Sequence, residues 1–322
     1  MVIVGAGPCG IAAAIAAGEA GLDYLILDRG SITSSLTGYP YYMTFFSTAE
    51  RLEIGGVPFT IPDPKPTRRE ALAYYRSVVR RHGIEVRQQE DVTKIEGSAG
   101  HFHVHTSRGS QAAVIEAKTV VLATGGFGEP NYLNVPGEDL GKVLHYYFEP
   151  FPFFDQDVLV VGGANSAVES ALEMHRNGAR VQMVHFNDVF DSGVKPWVLP
   201  DMLNRIESDE VPMHWKSRVK EITETSVILS HEETGATTEF ANDWVVAMTG
   251  WRPDRGLMTA LGVDIDEETG VPAHDPSTME TNVPGVYIAG VIAAGNNANK
   301  IFIENGRHHG ALVADAVAGS QL

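Results

Sequence analysis

The sequence predicts an α/β protein built from two β-α-β units in a single chain of 322 residues. Three observations predict it. Two short, wholly apolar runs, Met1-Val2-Ile3-Val4 and Val158-Leu159-Val160-Val161, each lead into a glycine turn and then a helical stretch. The spacing repeats, because Gly5 to Asp28 and Gly162 to His185 are both 23 residues apart. Glycine is enriched, with 33 residues against an average usage of about 7%, and the glycines cluster at these turns.

Taken in order, the all-apolar run at residues 1–4 is the pattern of a strand buried on both faces of a parallel sheet. Residues 10–20 are rich in Ala and Ile and contain no Pro, which makes a good helix, and Gly21 is placed to end it. Residues 24–27 form the second strand. Residues 101–106 and 112–116 read as paired short strands around Ser107-Arg108-Gly109-Ser110, an antiparallel flap. Residues 120–125 are an apolar strand closing on Thr124-Gly125. In the second unit, strand 158–161 is followed by Gly162-Gly163, a helix through Asn177 with Gly178 as its stop, and strand 180–184. Residues 245–250 form an apolar strand that ends in Thr249-Gly250. The run 286–290 opens a last segment, with a helix over residues 305–318. The domains expected are 1–130 and 250–322 as one discontinuous body, interrupted by 131–249.

Composition narrows the function classes. With 43% hydrophobic and 20% charged residues the chain is neither disordered nor fibrous. Its 41 acidic and 24 basic residues give a formal charge of −17, a field that repels phosphate backbones and argues against nucleic acid or an anionic membrane as partner. A single cysteine excludes an internal disulfide and a C-x-x-C pair, and fits a reducing, cytoplasmic address. The four-residue apolar start is too short for a signal peptide, and no run approaches the ~20 apolar residues of a membrane span.

The first turn, Gly5-Ala6-Gly7-Pro8-Cys9-Gly10, is G-x-G-x-x-G between strand and helix, with Asp28 closing the next strand. Gly5 makes the tight turn, Gly7 lets the backbone approach a pyrophosphate, and Gly10 lets helix and strand pack closely. The helix N-terminus offers free N–H groups to the anion, and Asp28 is placed to accept from ribose hydroxyls. The second turn, Gly162-Gly163-Ala164-Asn165-Ser166-Ala167, is G-x-A-x-x-A. Here Ser166 and the helix N-terminus can hold a pyrophosphate, and His185 replaces the acid. Losing that acid removes repulsion against a 2′-phosphate and tilts the choice toward NADPH. Lys195 and Arg180 are candidate sources of positive charge, each also readable as a solvated surface residue. Two Rossmann-like, three-layer ββα nucleotide domains in one chain argue for a flavin and a nicotinamide nucleotide together.

Residues 2–310 resemble the bacillithiol disulfide reductases, also called bacilliredoxin reductases, within the thioredoxin reductase group. The resemblance rests on Gly7-Pro8-Cys9-Gly10, Thr44-Phe45-Phe46-Ser47, Leu52-Glu53-Ile54-Gly55, Lys195-Pro196-Trp197 and Met248-Thr249-Gly250. It also rests on Met279-Glu280-Thr281-Asn282 and the stretch from Tyr287 to Arg307. It implies FAD, NADPH, a homodimer, and reduction of bacillithiol disulfide or of a bacilliredoxin carrying bacillithiol. It further implies FAD contacts at Pro8, Arg29, Thr44, Val92, Thr124, Gly125, Gly290 and Asn299, and an NADPH contact at Gly250. The chain departs from thioredoxin reductases in having aromatic and proline residues at 150–154 where those carry C-x-x-C. It also has Val291 in place of an aspartate that would hold the ribityl chain, so Asn296, Asn297 or Asn299 becomes the polar candidate.

The resemblance points to Cys9 as the redox residue, at a helix N-terminus that favours thiolate by about 0.3–1 kcal/mol. The alternative is a small, soft side chain packed under the pyrophosphate. His101, His103 and His105 share one strand face, which reads as a solvated face and not as a metal site. Two rival functions stay open. One is a reductase passing electrons to ferredoxin, flavodoxin or free flavin, which needs no cysteine; the other is a low-turnover flavin sensor, against which the second glycine turn argues.

Overall fold

A computed structural model describes residues 1–320 of the chain. It comprises two compact units: Met1–Glu129 together with the chain from Trp251 onward, and Pro130–Gly250. The sequence reading sets these junctions at 130/131 and 249/250.

The first unit opens with β1 (Val2–Val4), α1 (Pro8–Glu19) and β2 (Leu25–Asp28). Pro8 at the first helical position costs nothing, because the amide it lacks has no partner within a helix. Ala20 caps the end and Gly21 follows with φ 71°, the left-handed conformation that glycine adopts without strain. Helix α2 (Arg68–His82) carries a capping box between Thr67 and Glu70 and stops at Gly83, φ 63°. Then come β3 (Val86–Gln88), β4 (Asp91–Ser98), β5 (His101–Arg108), β6 (Gln111–Ala117) and β7 (Val120–Leu122). The expected flap of two strands is three-stranded, because β4 pairs antiparallel with β5 through a bulge between Val92 and Lys94. Phe102, Val104 and Thr106 turn inward, which leaves the three histidines of β5 on the outer face.

The second unit holds β8 (Val143–Leu144), β9 (Asp157–Val161), α3 (Asn165–Arg176) and β10 (Arg180–Val184). After these come β11 (Met213–His214), the antiparallel trio β12 (Ser217–Ile222), β13 (Ser226–His231) and β14 (Thr237–Ala241), and β15 (Trp244–Ala247). Its parallel sheet runs β11-β10-β9-β15-β8. Helix α3 ends at Asn177, and Gly178 (φ 90°) turns the chain where a Cβ would lie 2.9 Å from the Phe154 ring.

The chain then returns with β16 (Val286–Ile288) and α4 (His309–Gly319). The first unit's sheet is thereby completed in the order β16-β7-β1-β2-β3, all parallel. Every residue of β1, β7 and β16 is buried, as strands covered on both faces require. The single helix expected over 305–318 is broken into a turn at Ile303–Gly306 and α4 proper. Helix α4 lies so close to α1 that a Cβ on Gly310 would come within 2.5 Å of the Ala13 Cα, so the crossing needs glycine. Among the described residues no helix is long and apolar enough to cross a membrane.

Candidate functional site

In the first unit β1 lies between β2 and β7, so the connections after it diverge to opposite sides of the sheet. The carboxyl ends of the strands at such a point open a crevice where ligands bind. The Gly5–Gly10 turn stands there, and its glycines have different reasons. Gly5 (φ 109°) donates its N–H to the Leu27 carbonyl at 2.7 Å, and a Cβ on it would lie 2.8 Å from the Ala123 carbonyl carbon. A Cβ on Gly10 would strike the Gly5 carbonyl. A Cβ on Gly7 would meet nothing within 4 Å. Two glycines therefore allow protein to pack on protein, and the third leaves open main chain at the start of α1. No side chain caps that helix end, so its first N–H groups are available to an anion.

Asp28 is buried, and its carboxylate accepts from Ala6 N and Gly30 N, both at 2.7 Å, and from Ser34 Oγ at 3.0 Å. It fastens the turn to the end of β2. Three donors leave one of its roughly four lone-pair positions, so the ribose acceptor read from spacing is first a structural staple.

The other first-unit candidates separate by exposure. Thr124 and Gly125 follow β7, with Gly125 at φ 84° and open space above it. Thr44 is exposed and bridges Thr67. Arg29 is exposed, 3.9 Å from Asp254. The Val92 side chain lies in the core, so only its main chain could meet a ligand. Asn296 is bonded to Arg255, and Asn297 Oδ1 accepts the Asn299 N–H at 3.2 Å, which leaves the exposed Asn299 side chain as the uncommitted amide of the three.

Cys9 sits in the first turn of α1 against two glycine turns. A Cβ on Gly290 would lie 2.9 Å from Sγ, and one on Gly306 would lie 3.1 Å from it. The Gly290 N–H donates to His309 Nδ1 at 3.1 Å, which makes that nitrogen the acceptor. Burial pushes the Cys9 thiol up to about 12. Desolvation and the helix terminus pull the thiol in opposite directions, and desolvation is the larger, which favours the protonated thiol. Arg307, grouped in the sequence with His308 and His309, donates to the carbonyls of Glu50 and Glu53 and so ties the 303–306 turn to residues 49–53.

In the second unit β9 occupies the same place, between β10 and β15. Gly162 (φ 137°) donates to the Val184 carbonyl at 3.0 Å. Gly163 faces the His185 ring, which a Cβ would overlap. Ala164 precedes α3 without a side-chain cap, Ser166 is exposed, and Ala167 is fully buried where the first turn has Gly10. His185 is 3% exposed with both ring nitrogens unbonded, and burial holds its pKa below the usual histidine range, so it is a neutral wall beneath Gly163. Lys195 is 7% exposed, and its ammonium meets Glu169 Oε1 at 2.7 Å. Arg180 is exposed and spent on Asp155 and Asp157. Gly250 (φ 86°) ends the unit beside Asn131. Glu169 escaped the sequence reading because its partners are fixed only by the fold.

Two glycine turns, each at the carboxyl edge of a parallel sheet and each leading into a helix start that no side chain caps, are built to hold two dinucleotides. The profile of the family described as pyridine nucleotide-disulphide oxidoreductase matches residues 2–290. The chain belongs to that family. The family's members are FAD-dependent oxidoreductases fed by a pyridine nucleotide, and so is this chain. The bacilliredoxin reductase of Bacillus subtilis is 45% identical over 98% of this chain and 97% of its own. The bacillithiol disulfide reductase structure from Bacillus cereus is 46% identical, covers 98% of both chains and superposes with a TM-score of 0.96. That from Staphylococcus aureus is 39% identical, covers 100% of this chain and 98% of its own, and has a TM-score of 0.94. The resemblance read from the motifs therefore extends over the whole chain.

Proposed function

We propose that the chain oxidises NADPH and reduces a low-molecular-weight thiol disulfide, bacillithiol disulfide or a bacilliredoxin carrying bacillithiol. The balance is one NADPH and one proton consumed for each disulfide, giving NADP⁺ and two thiols. The observation that carries this reading is the open main chain at Gly7 and the uncapped helix start after each glycine turn, together with full-length similarity to relatives named for that substrate. FAD supplies the two-electron relay when bound. The protein's part is to present the open main chain of Gly7 and the first N–H groups of α1 to a pyrophosphate. Asp28 holds that turn in shape, while in the second unit Gly162 and Gly163 pack the turn against Met248 and His185 and the uncapped start of α3 offers its N–H groups to NADPH. The single cysteine supports a reducing, cytoplasmic setting, and the active form is a homodimer, which light scattering tests.

Cys9 is the thiol available for a mixed disulfide, and its high pKa is the observation that favours a second reading. In that reading electrons pass to ferredoxin, flavodoxin or free flavin without a protein thiol. Steady-state NADPH oxidation with each acceptor decides between them. Turnover with bacillithiol disulfide at least tenfold above that with the other acceptors supports the first, and the reverse order rejects it.

A further inference from the structure

Residues 186–198, which follow β10, fold back over the second glycine turn and are fastened to it in three places. Asp191 N donates to the Gly163 carbonyl at 3.0 Å, Lys195 N donates to Asn165 Oδ1 at 3.1 Å, and Lys195 Nζ meets Glu169 Oε1 at 2.7 Å. Asn165 Nδ2 donates to the other oxygen of Glu169. Asn165, Glu169 and Lys195 thus close a ring of hydrogen bonds beside the N-terminus of α3, with the Lys195 side chain buried. Asn165 stands at the first helical position with its side chain engaged in this ring and not capping the helix, which leaves the first N–H groups of α3 uncovered.

The charges make the arrangement consequential. Glu169 sits one turn into α3, where a bare carboxylate would oppose an anion at the helix start, and Lys195 cancels it. We propose that Lys195 and Glu169 are positioning residues for the nicotinamide nucleotide: Lys195 neutralises the Glu169 carboxylate, which in turn fixes Asn165 at the start of α3. Lys195 therefore acts through Glu169 and not by grasping a phosphate. The inference rests on the reading that the second unit takes NADPH.

The two roles predict opposite behaviour in a double variant. If Lys195 works by cancelling Glu169, Lys195→Met leaves an uncompensated carboxylate beside the anion seat and weakens nucleotide binding. Removing that carboxylate as well then restores the binding. If Lys195 grips a phosphate, removing Glu169 restores nothing. The test is isothermal titration of NADP⁺ into the FAD-loaded protein for wild type, Lys195→Met, and Lys195→Met with Glu169→Gln, with FAD content and unfolding temperature recorded for each.

We expect a rise in Kd of about tenfold for the single variant, within the range of coupled charge pairs, and recovery to within about threefold of wild type in the double. A double variant as weak as the single overturns the proposal. Should Lys195→Met fail to fold, the double variant, which buries no charge, is compared directly with wild type: near-equal Kd supports the proposal and a loss of about tenfold or more overturns it. Wild type that takes up no NADP⁺ refutes the NADPH reading itself, a different failure from non-recovery in the double variant.

Discussion

The Cys9 thiol is the sharpest place to test the chemistry of the first turn. Burial raises it from 9.0 to about 12, so at neutral pH the thiolate population falls about a thousandfold below that of a solvated cysteine. The helix N-terminus works in the other direction, but its 0.3–1 kcal/mol returns less than one of the three units. Alkylation by iodoacetamide reads this directly, since only thiolate reacts. With Cys9 the only thiol in the chain, the rate of loss of titratable thiol is its own. The expected pH-rate profile rises without a plateau up to pH 10, and unfolding in urea accelerates labelling at pH 7.5 by about two to three orders of magnitude. A plateau between pH 7 and 8 in the folded protein would refute the burial argument and restore Cys9 as a poised nucleophile.

The glycines of the first turn divide by what lies above them. Gly7→Ala, with open space around the new methyl, is expected to fold with near-normal stability and lose FAD. Gly10→Ala, which strikes the Gly5 carbonyl, is expected to lose about 1–3 kcal/mol of stability even without FAD; thermal unfolding of the apoproteins separates the two. Acid stability follows from three histidines, His185, His214 and His309, whose pKa values burial holds below 6.5. The unfolded chain binds these protons first, so their contribution is full above pH 6.5 and is lost as pH falls through the lower folded values. Asp191 pulls His185 partly back, while His274 and His308 reinforce the effect at His309. Urea midpoints measured from pH 7.5 to 5 are expected to fall, and replacing His214 with Gln is expected to flatten the slope.

What the sequence could show follows physical lines. The two β-α-β units were legible because strands buried on both faces need unbroken apolar runs and the turns between them need glycine. Strand β4 escaped because its inward positions, Val92 and Ile95, are out of alternation across a bulge. The helix at the chain's end read as continuous because a lone glycine, Gly306, is a weak break signal; in the fold Gly306 packs against Cys9 and Gly290, and Arg307 reaches the carbonyls of Glu50 and Glu53. At the site, spacing located both turns and both closing residues. It could not show that Asp28 is already bonded by three donors, that His185 lies beneath Gly163, or that Lys195 meets a glutamate 26 residues earlier. Each of these depends on tertiary contact. For Cys9 the helix terminus was visible in the sequence and the desolvation was not.

Stopped-flow absorbance of the flavin tests the central claim most directly. The wild-type protein is mixed with NADPH and then with bacillithiol disulfide, alongside Cys9→Ser. The account predicts rapid bleaching by NADPH in both proteins and full re-oxidation of the wild type by the disulfide. Bleaching that bacillithiol disulfide leaves unreversed in the wild type, while ferredoxin or free flavin reverses it, would contradict the account.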